Sequence, residues 1–203
     1  METLSVIGQR AKTAAAQLAK SGITERNNAL KAAADALLAK RDTIQAANAK
    51  DIEAAKKNQM KPAMIDRLTL TDARIEGMAE GLYQIVQLDD PIGEITSMKQ
   101  RPNGLMIGKN KVPLGVIAII YESRPNVTAD AFGLTLKSGN AVILRGGSDA
   151  IHSNTAIVSV ITESLKECGI NQDAIQLVTD TDRALVTELM HINKYIDIII
   201  PKG

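Results

Sequence analysis

Hydrophobic and polar positions alternate with a helical period through residues 4–86. The clearest apolar stripe falls on one face of an amphipathic helix and consists of Ile75, Met78, Ala79, Leu82, Ile85 and Val86. The pattern is interrupted around Ser21-Gly22, Lys40-Arg41 and Lys61-Pro62. It therefore predicts a layer of helices over residues 1–90.

Three short polar residues precede apolar stripes in this region and are predicted to cap helices. They are Thr24, Asp42 and Thr71. A short side-chain oxygen in that position accepts a hydrogen bond from the first turn of the helix. Asp42 followed by Gln45 also resembles a capping box.

A different pattern begins after Asp89-Asp90-Pro91. Segments 93–100 and 105–112 flank the turn-forming sequence Pro102-Asn103-Gly104. Asn-Gly is favoured in tight hairpin turns because these turns require positive φ angles. We therefore predict a β-hairpin over residues 91–112.

Short apolar runs rich in β-branched residues follow Pro113 and alternate with helical segments. They cover residues 115–121, 140–145, 174–178 and 195–200. Near-continuous apolar strands are typical of a parallel sheet that helices cover on both faces. The expected fold class is α/β, with a doubly wound parallel sheet over residues 113–203.

Composition excludes several classes of function. The chain has 203 residues, and its 24 basic and 23 acidic side chains nearly cancel, so no strong positive field attracts nucleic acid. No apolar run approaches the roughly 20 residues of a membrane helix, and no secretory signal pattern opens the chain. We expect a cytoplasmic protein without nucleic-acid or membrane partners. Its one cysteine cannot form an internal disulfide.

Two polar segments follow predicted strands, where open parallel sheets bind their ligands. The first is residues 122–128, in which Arg124 and Asn126 stand as donors on either side of Pro125. A ligand site is one interpretation. A polar loop with Thr128 as a helix cap is the other, and the spacing does not decide between them.

The second segment runs from Arg145 through Gly146, Gly147 and Ser148 to Asp149. Two glycines permit close approach to the backbone, and a cation ends the strand, so a nucleotide phosphate or ribose is a candidate ligand. The alternative is a turn whose Ser148 or Asp149 caps a helix. No G-x-G-x-x-G fingerprint occurs.

The remaining candidates for chemistry are interpreted as structural. Cys168 is placed at the carboxyl end of a helix, where the dipole disfavours a thiolate. His152 and His191 have no second ligand at metal-binding spacing, so no metal site is expected. Asp197 interrupts an apolar run, which a strand near the edge of the sheet tolerates, and we assign it no role.

Three segments together resemble the gamma-glutamyl phosphate reductase family of the aldehyde dehydrogenase superfamily. They read VPLGVIAIIYESRPNVT at 112–128, LKSGNAVILRGGS at 136–148 and IIIPKG at 198–203. YESRPN and LRGG point to this family within the superfamily, and the helical first half also fits. The resemblance covers the whole chain, and because the family's members are about twice as long, it implies an amino-terminal fragment.

The resemblance implies a division of labour along the chain. Residues 1–203 would form one amino-terminal cofactor-binding domain, with 1–90 as helical layer, 91–112 as an oligomerisation arm and 113–203 as the α/β core. The catalytic domain, with its nucleophilic cysteine, would follow residue 203. Ile200-Pro201-Lys202-Gly203 would be a strand-to-helix turn facing the cofactor's phosphates.

The implied reaction is NADPH-dependent reduction of L-glutamyl 5-phosphate to L-glutamate 5-semialdehyde and phosphate, in proline biosynthesis. Hydride would attack a thioester formed when the cysteine displaces phosphate. Asn126 matches the superfamily's donor to the developing oxyanion. Arg145 would suit the 2′-phosphate of NADPH or NADP.

The resemblance also implies a set of cofactor-binding residues, with a further loop at 179–182 over the adenine side. The set is Tyr121, Glu122, Arg124, Arg145, Gly146, Gly147, Ser148, Lys202 and Gly203. Implied partners are the small-molecule substrate, further copies of the chain through the 91–112 hairpin, and glutamate 5-kinase. Two alternatives stay open: another aldehyde or acyl-phosphate dehydrogenase of the superfamily, and a non-catalytic scaffold.

Overall fold

The computed structural model describes residues 3–182 and 184–202. Its helices are α1 (Leu4–Leu18), α2 (Ile23–Ala39), α3 (Arg41–Lys57), α4 (Pro62–Leu68), α5 (Asp72–Gln87), α6 (Asn126–Lys137), α7 (Ile151–Glu167) and α8 (Ala184–His191). Its strands are β1 (Ile95–Gln100), β2 (Met106–Asn110), β3 (Val116–Tyr121), β4 (Ala141–Arg145), β5 (Ile175–Leu177) and β6 (Ile198–Lys202). Short 3₁₀ turns precede α7 and β5. The predicted α/β class is confirmed.

Strands β3 to β6 form a parallel sheet in the order β5-β4-β3-β6. Helices α6 and α7 pack on one face, while α1 contacts β3, β4 and β5 and also touches α8. The sheet is therefore covered on both faces, which explains why β3 and β4 are apolar along almost their whole length. Helix α1 packs directly on the sheet, so residues 1–90 do not form a single layer.

Helices α2, α3 and α5 form a second tier behind α6 and α7. Small apolar residues make this close packing possible. Ala29, Ala33 and Ala34 of α2 are fully buried in the core cluster, and Gly133 of α6 lies where an added Cβ would meet Leu82 of α5 at 2.6 Å. Small side chains at these positions thus allow close packing in a core that has few aromatic residues.

One of the three predicted helix caps is confirmed. The Thr71 hydroxyl accepts a hydrogen bond from the Arg74 amide at 3.3 Å. Thr24 does not cap α2, because the helix begins one residue earlier and Gly22 is its N-cap, with the Glu25 carboxylate accepting from the Gly22 amide at 2.8 Å.

The predicted capping box at Asp42 was wrong. Lys40 is the N-cap of α3, and Asp42 lies inside the first turn. Gln45 donates instead to Asp72 on α5, at 3.0 Å. Gln45 therefore bonds another helix instead of completing a capping box with Asp42. Residue spacing within α3 could not indicate this contact.

The predicted hairpin is confirmed as the antiparallel pair β1 and β2, with a bulge between Ile95 and Ser97. Its turn is longer than a two-residue Asn-Gly turn: Gly104 donates to the Arg101 carbonyl, and Arg101 donates to the Leu105 carbonyl, each at 2.8 Å. Gly104 has φ +86°, as expected of a type I turn closed by a bulge residue. Several apolar side chains on and beside the strands are exposed, including Ile95, Met98, Leu105, Met106 and Val112.

The last strand begins later than predicted. The apolar run at 195–200 was expected to be the strand, whereas β6 covers Ile198–Lys202 and Tyr195 lies in a preceding turn. Asp197, to which we assigned no role, marks the boundary. Its amide donates to the Val116 carbonyl at 2.9 Å, and its carboxylate accepts from the Val116 amide at 2.8 Å.

The amino ends of the central strands are closed by side chains that bind the backbone. Asn140 accepts from the Leu114 and Gly115 amides at 2.7 and 2.8 Å. Lys12 of α1 donates to both Asp197 oxygens at 2.7 Å. Burial alone would raise the pKa of Asp197, but the hydrogen bonds from Lys12 and the Val116 amide outweigh it, and the pKa lies below its ordinary value.

Among the described helices, none is both long and apolar enough to cross a membrane.

Candidate functional site

A cavity of about 540 Å³ opens at the carboxyl ends of β3 and β4. It is lined by Met64, Arg67, Tyr121, Glu122, Ser123, Arg124, Arg145, Gly147, Ser148, Asp149, Thr181, Val186 and Thr187. We call it the strand-end cavity. Six residues that the sequence nominated for cofactor binding, from two separate loops, meet here, together with Thr181 of the 179–182 loop.

A buried chain of hydrogen bonds fixes one wall of the strand-end cavity. The Tyr121 hydroxyl bonds the Thr128 hydroxyl at 2.7 Å, and Thr128 donates to Asn154 of α7 at 2.9 Å. Burial raises the pKa of Tyr121 to about 12, against the opposing effect of the hydrogen bond with Thr128. Thr128 is therefore not the helix cap that the alternative interpretation proposed, since α6 already begins at Asn126.

The two glycines after β4 are required by the protein's own packing. A Cβ on Gly146 would meet Asn154 Nδ2 at 2.3 Å and the Tyr121 ring at 3.1 Å. A Cβ on Gly147 would meet Ser123 Oγ at 2.8 Å. The space that these glycines leave is filled by side chains of this chain, so their presence is not by itself a sign of a nucleotide. Gly146 also does not line the strand-end cavity, whereas Gly147 does.

The second loop is tied to the first, and neither Ser148 nor Asp149 caps α7. Ser123 donates to the Asp149 carboxylate at 2.9 Å. The cap comes from α3: Asp51, almost fully buried, accepts from the His152 and Ser153 amides at 3.1 and 2.8 Å. A residue a hundred positions away thus performs the role that spacing assigned to the local loop.

Arg145 lies at the end of β4 with only 9% of its surface exposed. Its guanidinium donates to the carbonyls of Gly146 at 2.7 Å and Thr181 at 3.0 Å, and its Nε has no partner. No carboxylate within residues 3–182 and 184–202 forms an ion pair with it. The side chain therefore braces the 179–182 loop through backbone carbonyls and not through an ion pair.

A second cavity, of about 520 Å³, lies between α4, α5 and α6. It is lined by Arg67, Thr69, Leu70, Ala73, Arg74, Gly77, Met78, Arg124, Asn126 and Asp130. We call it the helix cavity. Arg67 and Arg124 line both cavities, so the two spaces adjoin at these side chains.

The link between α4 and α5, beside the helix cavity, is fixed by a network around Asn48 of α3. Asn48 donates to the Leu68 carbonyl and accepts from the Leu70 amide, each at 2.8 Å. Arg74 is anchored by the Thr69 carbonyl at 2.7 Å and by the Asp66 carboxylate at 3.1 and 3.2 Å. These bonds fix the link between α4 and α5 and so position Arg67.

Four polar side chains of the helix cavity have no such partners. Across the described ranges, the side chains of Arg67, Arg124, Asn126 and Asp130 make no hydrogen bond and no ion pair with the protein. Asp130 is half-buried, and burial raises its pKa, an effect that the charge of Lys202 partly opposes. Lone polar groups on a cavity wall are available to a ligand.

Lys202 is not brought into either cavity lining. It pairs with Tyr121 across β3 and β6, so Pro201 and Lys202 continue the strand instead of forming the predicted strand-to-helix turn. Gly203, the last member of the predicted turn, lies outside the described residues.

Cys168 is the C-cap residue of α7, as the sequence predicted. Partial burial raises the pKa of its thiol, and the neighbouring Glu167 carboxylate adds to this. His191 bonds the Thr187 carbonyl at 2.6 Å, one turn earlier in α8. Neither arrangement activates the side chain for catalysis.

Comparison with known proteins identifies the family. The aldehyde dehydrogenase family model matches residues 2–200. The chain belongs to the aldehyde dehydrogenase family. The family resemblance drawn from the sequence is confirmed by curated relatives named gamma-glutamyl phosphate reductase: one from Lachnospira eligens is 63% identical over 203 residues, and one from Clostridium botulinum is 52% identical. The chain spans about half the length of these relatives, 49% in each case.

Solved structures agree with this assignment. Gamma-glutamyl phosphate reductase from Thermotoga maritima matches with a TM-score of 0.97 at 41% identity, and the enzyme of that name from Saccharomyces cerevisiae with 0.89 at 29% identity. Each match covers all of this chain, with 49% and 52% of the other. The predicted aldehyde-dehydrogenase-like fold is thereby confirmed.

Sequence reasoning missed Arg67, Met64 and Asp130. Asp130 follows Asn126 by four positions on α6, so helical spacing would have placed both on one face. Arg67 and Met64 share a face of α4, but only the tertiary contacts of α3 bring that helix over the strand ends. No local pattern in the sequence indicates this.

Proposed function

We propose that this chain is the amino-terminal half of an NADPH-dependent reductase that converts L-glutamyl 5-phosphate to L-glutamate 5-semialdehyde and phosphate in proline biosynthesis. The main support is the 63% identity to a curated gamma-glutamyl phosphate reductase over the whole chain. The convergence of two nominated loops on the strand-end cavity supports the same proposal. The catalytic cysteine would lie in the other half, which these relatives possess and this chain does not cover.

The strand-end cavity fits a nicotinamide dinucleotide by its donor set. Among residues 3–182 and 184–202, the buried guanidinium of Arg145 has no ion pair and its Nε has no hydrogen-bond partner, and buried charges are ordinarily paired. Ser148, Thr181 and Glu122 supply groups that can hydrogen-bond ribose hydroxyls. When bound, the cofactor supplies the hydride. The residues of this chain would hold it, with Arg145 and Arg124 meeting its phosphates.

Asn126 is proposed to act on the substrate carbonyl. It is the first residue of α6, exposed, and free of protein partners within the described ranges. An amide in this position can donate to an oxygen as negative charge develops on it, and such a donor is most effective when it is positioned before the reaction. Helix α6 fixes the backbone from which this amide projects.

The hairpin is proposed to bind another copy of the chain. Its strands contact each other and have no comparable contact with any other described helix or strand. Exposed apolar side chains on such an arm favour burial against a second subunit. Association with glutamate 5-kinase is a further proposal that rests on the sequence resemblance. A cytoplasmic location is another, and it rests on the composition of the chain.

The experiment that tests the proposal compares the 203-residue chain with the full-length enzyme. The full-length enzyme should oxidise glutamate 5-semialdehyde with NADP and phosphate, and the short chain should not, because it cannot carry the acyl group on a cysteine. Cys168→Ser in the full-length enzyme is the control and should leave turnover unchanged. Turnover by the short chain that disappears with Cys168→Ser would overturn the division of labour proposed here.

A further inference from the structure

The helix cavity contains opposite charges that are not used by the protein. Asp130 on α6 carries a carboxylate, and Arg67 on α4 a guanidinium, and within residues 3–182 and 184–202 neither forms an ion pair. The neighbouring Arg74 shows that the region can pair its charges, since it is bound to Asp66. Two opposite charges that line one cavity, and that are unpaired among the described residues, match a ligand that carries both an ammonium and a carboxylate.

The spacing along α6 sets a length for that ligand. Asn126 and Asp130 are four residues apart in one helix, so their Cβ atoms are about 5–6 Å apart and lie on one face. In a glutamyl group, four bonds separate the terminal carbonyl carbon from the α-nitrogen, a span of about 5 Å when extended. A carbonyl near the Asn126 amide would therefore bring the α-ammonium to Asp130.

The rest of the lining suits the middle of such a ligand. Leu70, Ala73 and Met78 present apolar surface in the same cavity, where methylene groups can be removed from water. Burial raises the pKa of Asp130, and the charge of Lys202 only partly opposes this effect. An ammonium ion next to the carboxylate would oppose it further, because an opposite charge favours the ionised form.

We propose that Asp130 and Arg67 recognise the amino-acid end of the substrate, with Asp130 receiving the α-ammonium and Arg67 the α-carboxylate. The proposal rests on the proposed function and deepens it, since it assigns a specificity role to two residues of this chain. Asn126 would receive the reacting carbonyl oxygen of the same molecule. Specificity for an amino acid then comes from this half of the enzyme.

Three aldehydes distinguish the contact at Asp130 from the contact at Arg67. Each is assayed with the full-length enzyme, NADP and phosphate. Glutamate 5-semialdehyde carries both charged groups, 5-oxopentanoate lacks the amino group, and pentanal lacks both. Asp130→Asn should reduce the preference for glutamate 5-semialdehyde over 5-oxopentanoate by about ten- to a hundredfold, as expected for the loss of a charged hydrogen bond. Its kcat/KM for 5-oxopentanoate should stay within about threefold of the wild-type value.

Arg67→Gln should show the complementary result. It should reduce the preference for 5-oxopentanoate over pentanal by about ten- to a hundredfold. Because Arg67 also lines the strand-end cavity, the two substrates are compared at saturating NADP, and the result is the ratio of their kcat/KM values. Glu163→Gln removes an exposed carboxylate on α7 and serves as the matched control, with all three substrates unaffected. Thermal unfolding of each variant checks that the fold is intact, and Asp130→Ala provides a second variant if Asp130→Asn unfolds.

The possible failures have different meanings. If the wild-type enzyme does not turn over glutamate 5-semialdehyde at all, the proposed function is wrong. If it does, but Asp130→Asn slows all three aldehydes equally, Asp130 acts in catalysis or folding and the inference is overturned while the proposed function stands. Equal losses for Arg67→Gln would overturn the assignment of the carboxylate in the same way.

Discussion

The two ends of the parallel sheet use their polar side chains differently. At the amino ends of β3 and β6, Asn140, Asp197 and Lys12 are bound to the backbone or to each other. At the carboxyl ends, Ser123 and Asp149 are bonded to each other, but Asn126 and Asp130 have no hydrogen-bonding partner among the described residues. Both ends contain asparagine and aspartate, so residue type does not explain the difference.

The difference indicates that polar side chains at the amino ends stabilise the fold, whereas the unbonded ones at the carboxyl ends are available to bind a ligand. A satisfied side chain that binds strand backbone contributes to folding, because its loss leaves buried N–H groups without acceptors. An unsatisfied side chain on a cavity wall contributes little to folding and is available to a ligand. Variants at the two ends should therefore have opposite consequences, and the following predictions test this in order of expected effect.

The largest effect is expected from Asn126→Ala in the full-length enzyme. Loss of an oxyanion donor typically lowers kcat by about 10²- to 10³-fold. The melting temperature should not change, because the side chain is exposed and has no protein partner in the described part of the chain. Steady-state kinetics and calorimetry measure both. A fall in stability with kcat preserved would show that Asn126 belongs with the structural end.

Asn140→Ala is the counterpart at the amino end. It would remove the side chain, itself only 2% exposed, that accepts from the part-buried Leu114 and Gly115 amides. An unsatisfied buried group costs about 1–3 kcal/mol, and because these amides are only part-buried we expect a loss of about 1–3 kcal/mol in total in the free energy of unfolding. Urea denaturation measures it. A loss comparable to that of an exposed substitution, with weakened NADPH binding, would reverse the comparison.

Arg145→Ser tests whether Arg145, in the strand-end cavity, binds the cofactor or only supports the loop at 179–182. If the Arg145 guanidinium, which forms no ion pair among the described residues, meets the 2′-phosphate, the variant should lose about tenfold more affinity for NADPH than for NADH, the value of a charged hydrogen bond. Fluorescence titration of both cofactors measures this ratio. Equal losses would mean that Arg145 acts only by bracing the Thr181 carbonyl.

The smallest effect is expected at Asp197 and depends on pH. Its pKa is lowered in the folded protein, so its stabilising contribution is present above the unfolded value of about 3.9 and is lost as pH falls through the folded value. The stability difference between wild type and Asp197→Asn should therefore shrink as the pH is lowered below about 4. Lys12→Met should reproduce part of this dependence. If the stability difference between wild type and Asp197→Asn does not depend on pH, the charge of the Asp197 carboxylate does not contribute to stability.

Regular patterns in the sequence predicted much of this fold. The apolar stripe through Ile75 and Leu82 placed α5 because those side chains pack on one face. The run at 115–121 predicted β3 because a strand covered on both faces has no polar side. The error at β6 arose because Tyr195 is apolar enough to extend the run, while Asp197 binds Val116 and sets the boundary.

The site was harder to predict, because its geometry depends on distant residues. Asp51 caps α7 from another helix, and Asn154 occupies the space beside Gly146, so the local sequence suggested caps and a ligand where the protein itself supplies the partner. Arg67 reaches both cavities only because α3 positions α4. Such contacts carry no periodic signal.

The most direct test of the central claim is an NMR titration of the 203-residue chain with NADPH, followed through backbone amide shifts. Binding at the carboxyl ends predicts saturable shifts in segments 121–124, 145–149 and 179–182 at millimolar cofactor, with the amides of Leu114, Gly115 and Asp197 unchanged. Shifts centred on the amino ends or on the hairpin, or no shifts at the carboxyl ends, would contradict the assignment of this chain as the cofactor-binding half.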